Sequence, residues 1–322
     1  MVQSSKPLPA ALSGLRLPVI GAPLFIVSNP NLVIAQCKAG IVGSFPSLNA
    51  RPQSQLDEWL HEITEALAEH DRNHPDAPSA PFAVNQIVHR SNDRFEADMA
   101  TCAKWKVPIV ITSLGAREEL NRAVHGWGGI TLHDIIDDRY ARKAVDKGAD
   151  GLIAVAAGAG GHAGKWSPFA LIQEIRRWFD GPLILSGAIA TGRALLAAQA
   201  MGADLAYIGS PFIATDEARA SEEYKQGIVD AGAADIVNSA LFTGIAGNYL
   251  RASIEAAGLD PANLAEPGPD AMNFQSATGA KAWRDIWGSG QGIGAIDAVV
   301  PAGELVARLA REYVEARAAL CA

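Results

Sequence analysis

Residues that cross-link or chelate are scarce in this chain. Its three cysteines, Cys37, Cys102 and Cys321, are far apart and odd in number, so free thiols are expected rather than a disulfide framework or a CxxC site. No HExxH motif and no Ser-His-Asp ordering occurs, which leaves metal-dependent and triad hydrolysis without support, and no metal is expected. Basic charge is also scarce: 27 Lys and Arg stand against 35 Asp and Glu, a net charge of −8 with no basic block. Nucleic acid and anionic membrane surfaces are therefore not expected partners. No run approaches the ~20 apolar residues that span a bilayer. The apolar run 15–27 is broken by Arg16, Pro18, Gly21 and Pro23, which reads as a buried first strand rather than a signal segment. A cytoplasmic location is expected.

What the chain does have is apolar bulk. At 322 residues, 49% hydrophobic and 19% charged, it can bury a sizeable core in one large α/β domain or two smaller ones. Short, mostly apolar segments at 17–21, 41–43, 82–85, 108–112, 130–133, 151–155, 183–186 and 205–208 alternate with helical patterns at 31–39, 55–69, 94–105, 118–124, 140–147 and 193–201. A further helix is expected after Ser167 and Pro168, as cap and first residue, and Gly148 is expected to end the helix before it. Strands this apolar belong in a parallel sheet covered by helices, and eight βα units match a TIM (β/α)₈ barrel. An open doubly wound sheet is the alternative. From residue 215 the rhythm changes to helical pieces at 217–231 and 249–257, a Pro/Gly-rich connection at 261–269 and a long helix at 299–319. The expected organisation is a barrel of residues 1–214 and about 293–322, with a mostly helical insertion or lid at about 215–292 after the eighth strand.

Barrel chemistry collects at the C-terminal ends of the strands, with phosphate sites in the loops after strands seven and eight. Those loops contain Ser186, Gly187 and Ala188, and Gly209 and Ser210. A hydroxyl and a glycine beside a helix N-terminus suit an anion; two tight turns are the plain alternative. The stretch GLIAVAAGAGGHAG at 151–164 fits G-x-G-x-x-G/A at Gly158, Gly160 and Ala163. Its helix starts only near Ser167, and strand 183–186 ends without an acidic residue for a ribose, so it is not a dinucleotide fingerprint. The glycines leave room for a ligand, and His162 is the titratable group among them, able near its ordinary pKa of ~6.5 to take a proton or to supply positive charge. The alternative is a loop histidine bonded to backbone. His133, ending the fifth strand, is a second candidate. His61, His70, His74, His89 and His125 fall on helices or outer loops and are expected to be solvated.

The segments VIGAPL (19–24), FAVN (82–85), GGHAG (160–164), SGAIA (186–190), MGADLAYIGS (201–210) and WGSGQG (287–292), taken as an ordered set, resemble the nitronate monooxygenases, formerly called 2-nitropropane dioxygenases. That resemblance covers essentially the whole barrel. It implies an FMN-binding TIM barrel, oxidation of alkyl nitronates by O2 and a catalytic histidine at His162. It further implies that Ala22, Pro23 and Leu24 run along the flavin ring, that Asn85 meets the ring or ribityl chain, and that Gly160 and Gly161 approach the flavin. Ser186, Gly187, Gly209 and Ser210 would hold the phosphate, and Gln291 would close over the cofactor. The sequence departs from the family pattern at Leu24, where methionine is usual, at Ala163, at Asp134, where some relatives have lysine, and in FTGIAGNYLR (242–251). His133 would substitute for the missing lysine. The expected partners are a nitronate or nitroalkane and O2, with a homodimer left open. Two other functions are weighed: an FMN-dependent NAD(P)H:quinone or enoyl reductase of the same family, and a flavin- or phosphate-binding protein without turnover.

Overall fold

The computed structural model describes residues 7–265 and 285–321. Eight parallel strands are the frame: β1 (Val19–Gly21), β2 (Gly43–Pro46), β3 (Phe82–Ile87), β4 (Ile109–Ser113), β5 (Ile130–Ile135), β6 (Gly151–Val155) and, after the two-residue β7 (Gly161–His162), β8 (Leu183–Ser186) and β9 (Leu205–Ile208). Their order is β1-β9-β8-β6-β5-β4-β3-β2. The ring closes where Ile20 pairs with Val42 in parallel, with Gly21 N–H donating to the Val42 carbonyl at 2.8 Å and Val42 N–H to that of Val19 at 3.1 Å. The open sheet is thereby excluded and the TIM-like barrel stands.

Helices α1 (Pro30–Lys38), α2 (Gln55–Asn73), α3 (Phe95–Lys104), α4 (Glu118–Gly126), α5 (Asp138–Asp146), α6 (Pro168–Arg176) and α7 (Gly192–Met201) follow the successive strands. Local chemistry starts them. Asn29 accepts from the N–H groups of Asn31 and Leu32 with Pro30 in the first turn, and Asp137 and Thr191 cap α5 and α7 in the same way. Ser167 precedes Pro168 as expected, yet its hydroxyl makes no capping bond; proline's fixed φ is enough to start that helix. Gly148 follows α5 at φ +88°, its N–H on the Val145 carbonyl.

Strand alternation sorts the core. Ile20, Val42, Ala83, Ile109, Ile111, Leu132, Ile153, Ile184 and Leu205 point inward and fill the barrel, with Leu12 packed against them. The other faces of the strands pack on the helices. Cys37 and Cys102 are free and buried, and burial pushes both thiols up to about 12.

After the barrel come α8 (Ser210–Ile213), α9 (Glu222–Asp230), β10 (Ile236–Ser239), β11 (Gly247–Leu250), α10 (Arg251–Ala256) and a closing helix α11 (Ala302–Cys321) packed on α7. The helical expectation for this segment is correct in part. Tyr249 and Leu250, read as the start of a helix, instead end β11, the middle strand of a three-stranded antiparallel sheet ordered β10-β11-β7. Much of the 261–269 connection lies outside the described residues.

Candidate active site

That small sheet remakes the glycine stretch. Gly247 pairs with His162 and Asn248 with Gly161, so the expected loop is an edge strand clamped by the segment beyond the barrel. The glycines are used chiefly for chain packing rather than as open room. A Cβ on Gly160 would lie 2.8 Å from the Gly290 nitrogen and 2.9 Å from the Ser289 carbonyl carbon. Gly161, at φ +65°, is the member with open space around it.

Residues 287–292 run across this edge as a strap. Gln291 N–H donates to the Gly158 carbonyl and Ser289 N–H to that of Asn248. The Gly290 N–H donates to Ser210 Oγ at 2.9 Å, and the Tyr224 hydroxyl to the Gly288 carbonyl at 2.6 Å, while the Tyr224 ring stacks on Trp287. The strap thus ties the loop after β6 to the loop after β9.

Under the strap lies a cavity of about 630 Å³, within the usual size of a ligand site, ~300–1,000 Å³. It brings together Ala22, Pro23, Leu24, Asn85, His133, Gly160, Gly161, His162, Ser186, Gly187, Gly209 and Ser210, every site residue expected from the sequence except Gln291. The Gln291 side chain sits exposed against Gly158, and its neighbours Gly290 and Gly292 line the wall instead.

The cavity floor follows from the barrel's own periodicity. Two residues beyond the inward Ala83, Ile111, Leu132, Ile184 and Leu205 stand Asn85, Ser113, Asp134, Ser186 and Tyr207, all in the lining. The apolar plug therefore ends in a polar layer. Asn85 Nδ2 donates to Ser113 Oγ at 2.7 Å, and Ser113 Oγ donates to Asp134 Oδ2. Asp134 Oδ1 and the Tyr207 hydroxyl are sealed with no partner among the described residues. Burial pushes the Asp134 carboxyl up to about 7.

His162 stands at the rim. Its Nε2 lies 2.9 Å from Thr243 Oγ1, and that hydroxyl donates to the Ile245 carbonyl at 3.0 Å. This contact orients the His162 ring. Burial pushes its pKa down to about 4. The imidazole is therefore neutral at pH 7, where the sequence left both proton uptake and a positive charge open.

His133 is buried in the wall with Nδ1 on Thr112 Oγ1. Alternation turns it away from the face that carries Leu132 and Asp134, and burial, with Lys143 nearby, holds it at about 4. It shares no face with the polar floor. His89, expected to be solvated, is half-buried and lines the cavity, its Nδ1 2.8 Å from Ser91 Oγ. β3 runs on through Gln86 and Ile87, and that extension carries His89 to the site. Sequence reasoning also missed Ser113, Tyr207 and Thr243, which look like ordinary strand and loop residues until the barrel closes.

Residues 6–312 match the nitronate monooxygenase family. The chain belongs to that family. Nitronate monooxygenases of this family are FMN-dependent oxidoreductases on a TIM barrel. The chain is similar to the nitronate monooxygenase of Paraburkholderia phytofirmans, 27% identical over 94% of this chain and 93% of that one. Among solved structures, nitroalkane oxidase from Streptomyces ansochromogenes superposes with a TM-score of 0.80 at 24% identity, covering 96% of this chain and 100% of that one. FabK from Thermotoga maritima superposes at 0.77 and 24% identity, covering 97% and 96%. Likeness at those identities shows the fold. No helix among the described residues is long and apolar enough to cross a membrane, and no group of three or more His, Cys, Asp or Glu among them is placed to hold a metal ion.

Proposed function

We propose that this chain is an FMN-dependent nitronate monooxygenase that oxidises alkyl nitronates with O2 to carbonyl compounds and nitrite. The observation that carries the reading is His162: a neutral imidazole at the rim of the cavity, oriented by Thr243.

The cavity fits the cofactor. Its floor holds sealed polar atoms without partners among the described residues, and buried polar groups of that kind are normally paired with protein, ligand or water. Ser210 Oγ already accepts from the Gly290 N–H, which leaves its own hydrogen to donate to a phosphate. Ser186, Gly187, Gly209 and Ser210 are the residues to hold that phosphate, and Ala22, Pro23, Leu24 and Asn85 to line the ring. When bound, FMN supplies the electron-transfer chemistry.

The protein's part is positioning and charge. A nitroalkane must first lose a proton, and a base held at about 4 is poorly matched to that task at neutral pH. A nitronate arrives already deprotonated. An anion beside His162 raises the imidazole's affinity for a proton, so binding itself creates the charge that holds the substrate. A nitronate is therefore favoured over its parent nitroalkane.

Flavin absorbance under anaerobic conditions tests the reading. Bleaching on addition of an alkyl nitronate, and not of NADH or NADPH, is the expected result. Bleaching by a reduced nicotinamide alone would make the chain a reductase, and an unchanged spectrum with all three would leave a flavin-binding protein without turnover.

A further inference from the structure

Asp134 is the only carboxylate among the described residues that line the cavity, and it stands on the floor, away from the rim where His162 is held. Its surroundings suit a neutral acid better than a carboxylate. Ser113 supplies one hydrogen bond, to Oδ2, and is itself fixed by Asn85. Oδ1 has no donor, and no ion pair reaches the group among the described residues. A buried carboxylate with a single hydrogen bond and no cation is the less stable form.

The groups around it do not change that balance. On its own strand His133 turns to the opposite face, where it bonds Thr112. Its register partner on β6 is Ile153, which is apolar. Tyr207 from β9 is the titratable group whose hydroxyl feels the Asp134 charge, being pushed up first by burial and then by that carboxylate. Lys143 and Tyr140 on α5, His89, His162 and Tyr224 are the remaining titratable lining residues, and Lys143 is exposed to solvent.

We propose that Asp134 is a proton-holding residue of the cofactor site, which takes up a proton as the flavin binds and is protonated in the complex. The inference rests on the flavin reading above. A flavin held in this cavity would screen Asp134 further from solvent, and both its phosphate and a nitronate would bring negative charge into the same cavity. Each effect favours the neutral acid. A carboxylate there would repel the anionic substrate, and protonation removes the repulsion at no cost in polar lining. Burial by the protein alone pushes the carboxyl up to about 7, so the uptake falls in an accessible range.

The test is flavin affinity against pH, measured by fluorescence titration of flavin-free protein from about pH 6 to about pH 9. Riboflavin is titrated beside FMN, because it lacks the phosphate that ionises in this range. Wild-type affinity for riboflavin should weaken as pH rises above about 7, approaching about tenfold per pH unit. D134N should bind with a nearly flat profile. S113A, which removes the bond that favours the carboxylate, should move the decline to higher pH. A flat wild-type profile, or a decline shared equally by D134N, would overturn the proposal. If D134N does not fold, calorimetry of wild-type binding in two buffers of different ionisation enthalpy decides: proton uptake above neutrality supports it and none overturns it. Failure of wild-type protein to bind either flavin would overturn the cofactor reading, a result distinct from binding without proton linkage.

Discussion

At the residue scale, His162 and Asp134 carry opposite instructions from the same burial. Burial holds the imidazole neutral and favours the protonated form of the carboxyl. His162→Ala is expected to lower nitronate oxidation by about 10²-fold or more while flavin content is unchanged; steady-state rates beside a flavin absorbance ratio check this. The two residue types also shape stability. His133 and His162 are held at about 4 against ~6.5 in an unfolded chain. Their contribution is complete above ~6.5 and is lost as pH falls toward about 4, because the unfolded chain then binds more protons. Asp134 runs the other way: with its pKa raised to about 7, its contribution is complete below the ordinary carboxylate value and is lost as pH rises through about 7. The two slopes oppose each other in mild acid. Flavin-free D134N keeps only the histidine slope, so its melting temperature should fall more steeply on acidification than that of wild type and exceed it above pH ~7. Parallel melting curves would contradict this.

At the scale of elements, the strands with the plainest apolar runs were legible from sequence: 151–155, 183–186 and 205–208 stand where their composition put them. The elements that could not be read are those whose identity depends on a distant partner. Residues 247–250 form a strand because Gly161 and His162 lie beside them, a pairing across more than eighty residues of chain that no local pattern announces. Gly158, Gly160 and Gly161, read as ligand space, line the cavity, and the pairing gives the stretch a second use that the sequence did not show. Gly160 also allows the close approach of Ser289 and Gly290. Gly160→Ala should therefore overpack the strap, costing about 1–3 kcal/mol in unfolding free energy, and should loosen flavin binding; denaturant titration measures the first and fluorescence the second. Thr243, in the turn between β10 and β11, holds His162 Nε2 at 2.9 Å. Thr243→Val removes that partner from a buried ring nitrogen, worth about 1–3 kcal/mol, so kcat/KM for a nitronate should fall about tenfold or more with flavin affinity preserved. Equal losses in both would place Thr243 in the fold alone.

At the scale of the whole molecule, the eight-strand ring was legible in the alternation of apolar runs and helices, and the catalytic end followed from it. Chemistry was less legible, because a barrel sets where a site lies and leaves its polar content to single positions on each strand. Asn85 and Ser186 were named from motifs. Ser113, Asp134 and Tyr207 joined them when two-residue periodicity was counted on from the inward apolar layer. What the molecule assembles is a cavity closed by a strap, with a neutral histidine at its rim and a polar floor beneath. The most direct test of the function proposed for it is nitrite release by the flavin-loaded protein, with O2 consumption recorded on the same sample, from an alkyl nitronate and from its parent nitroalkane. Nitrite formed with O2 uptake, faster from the nitronate and lost in His162→Ala, is the expected result. No nitrite from either compound, or equal release by His162→Ala, would contradict it.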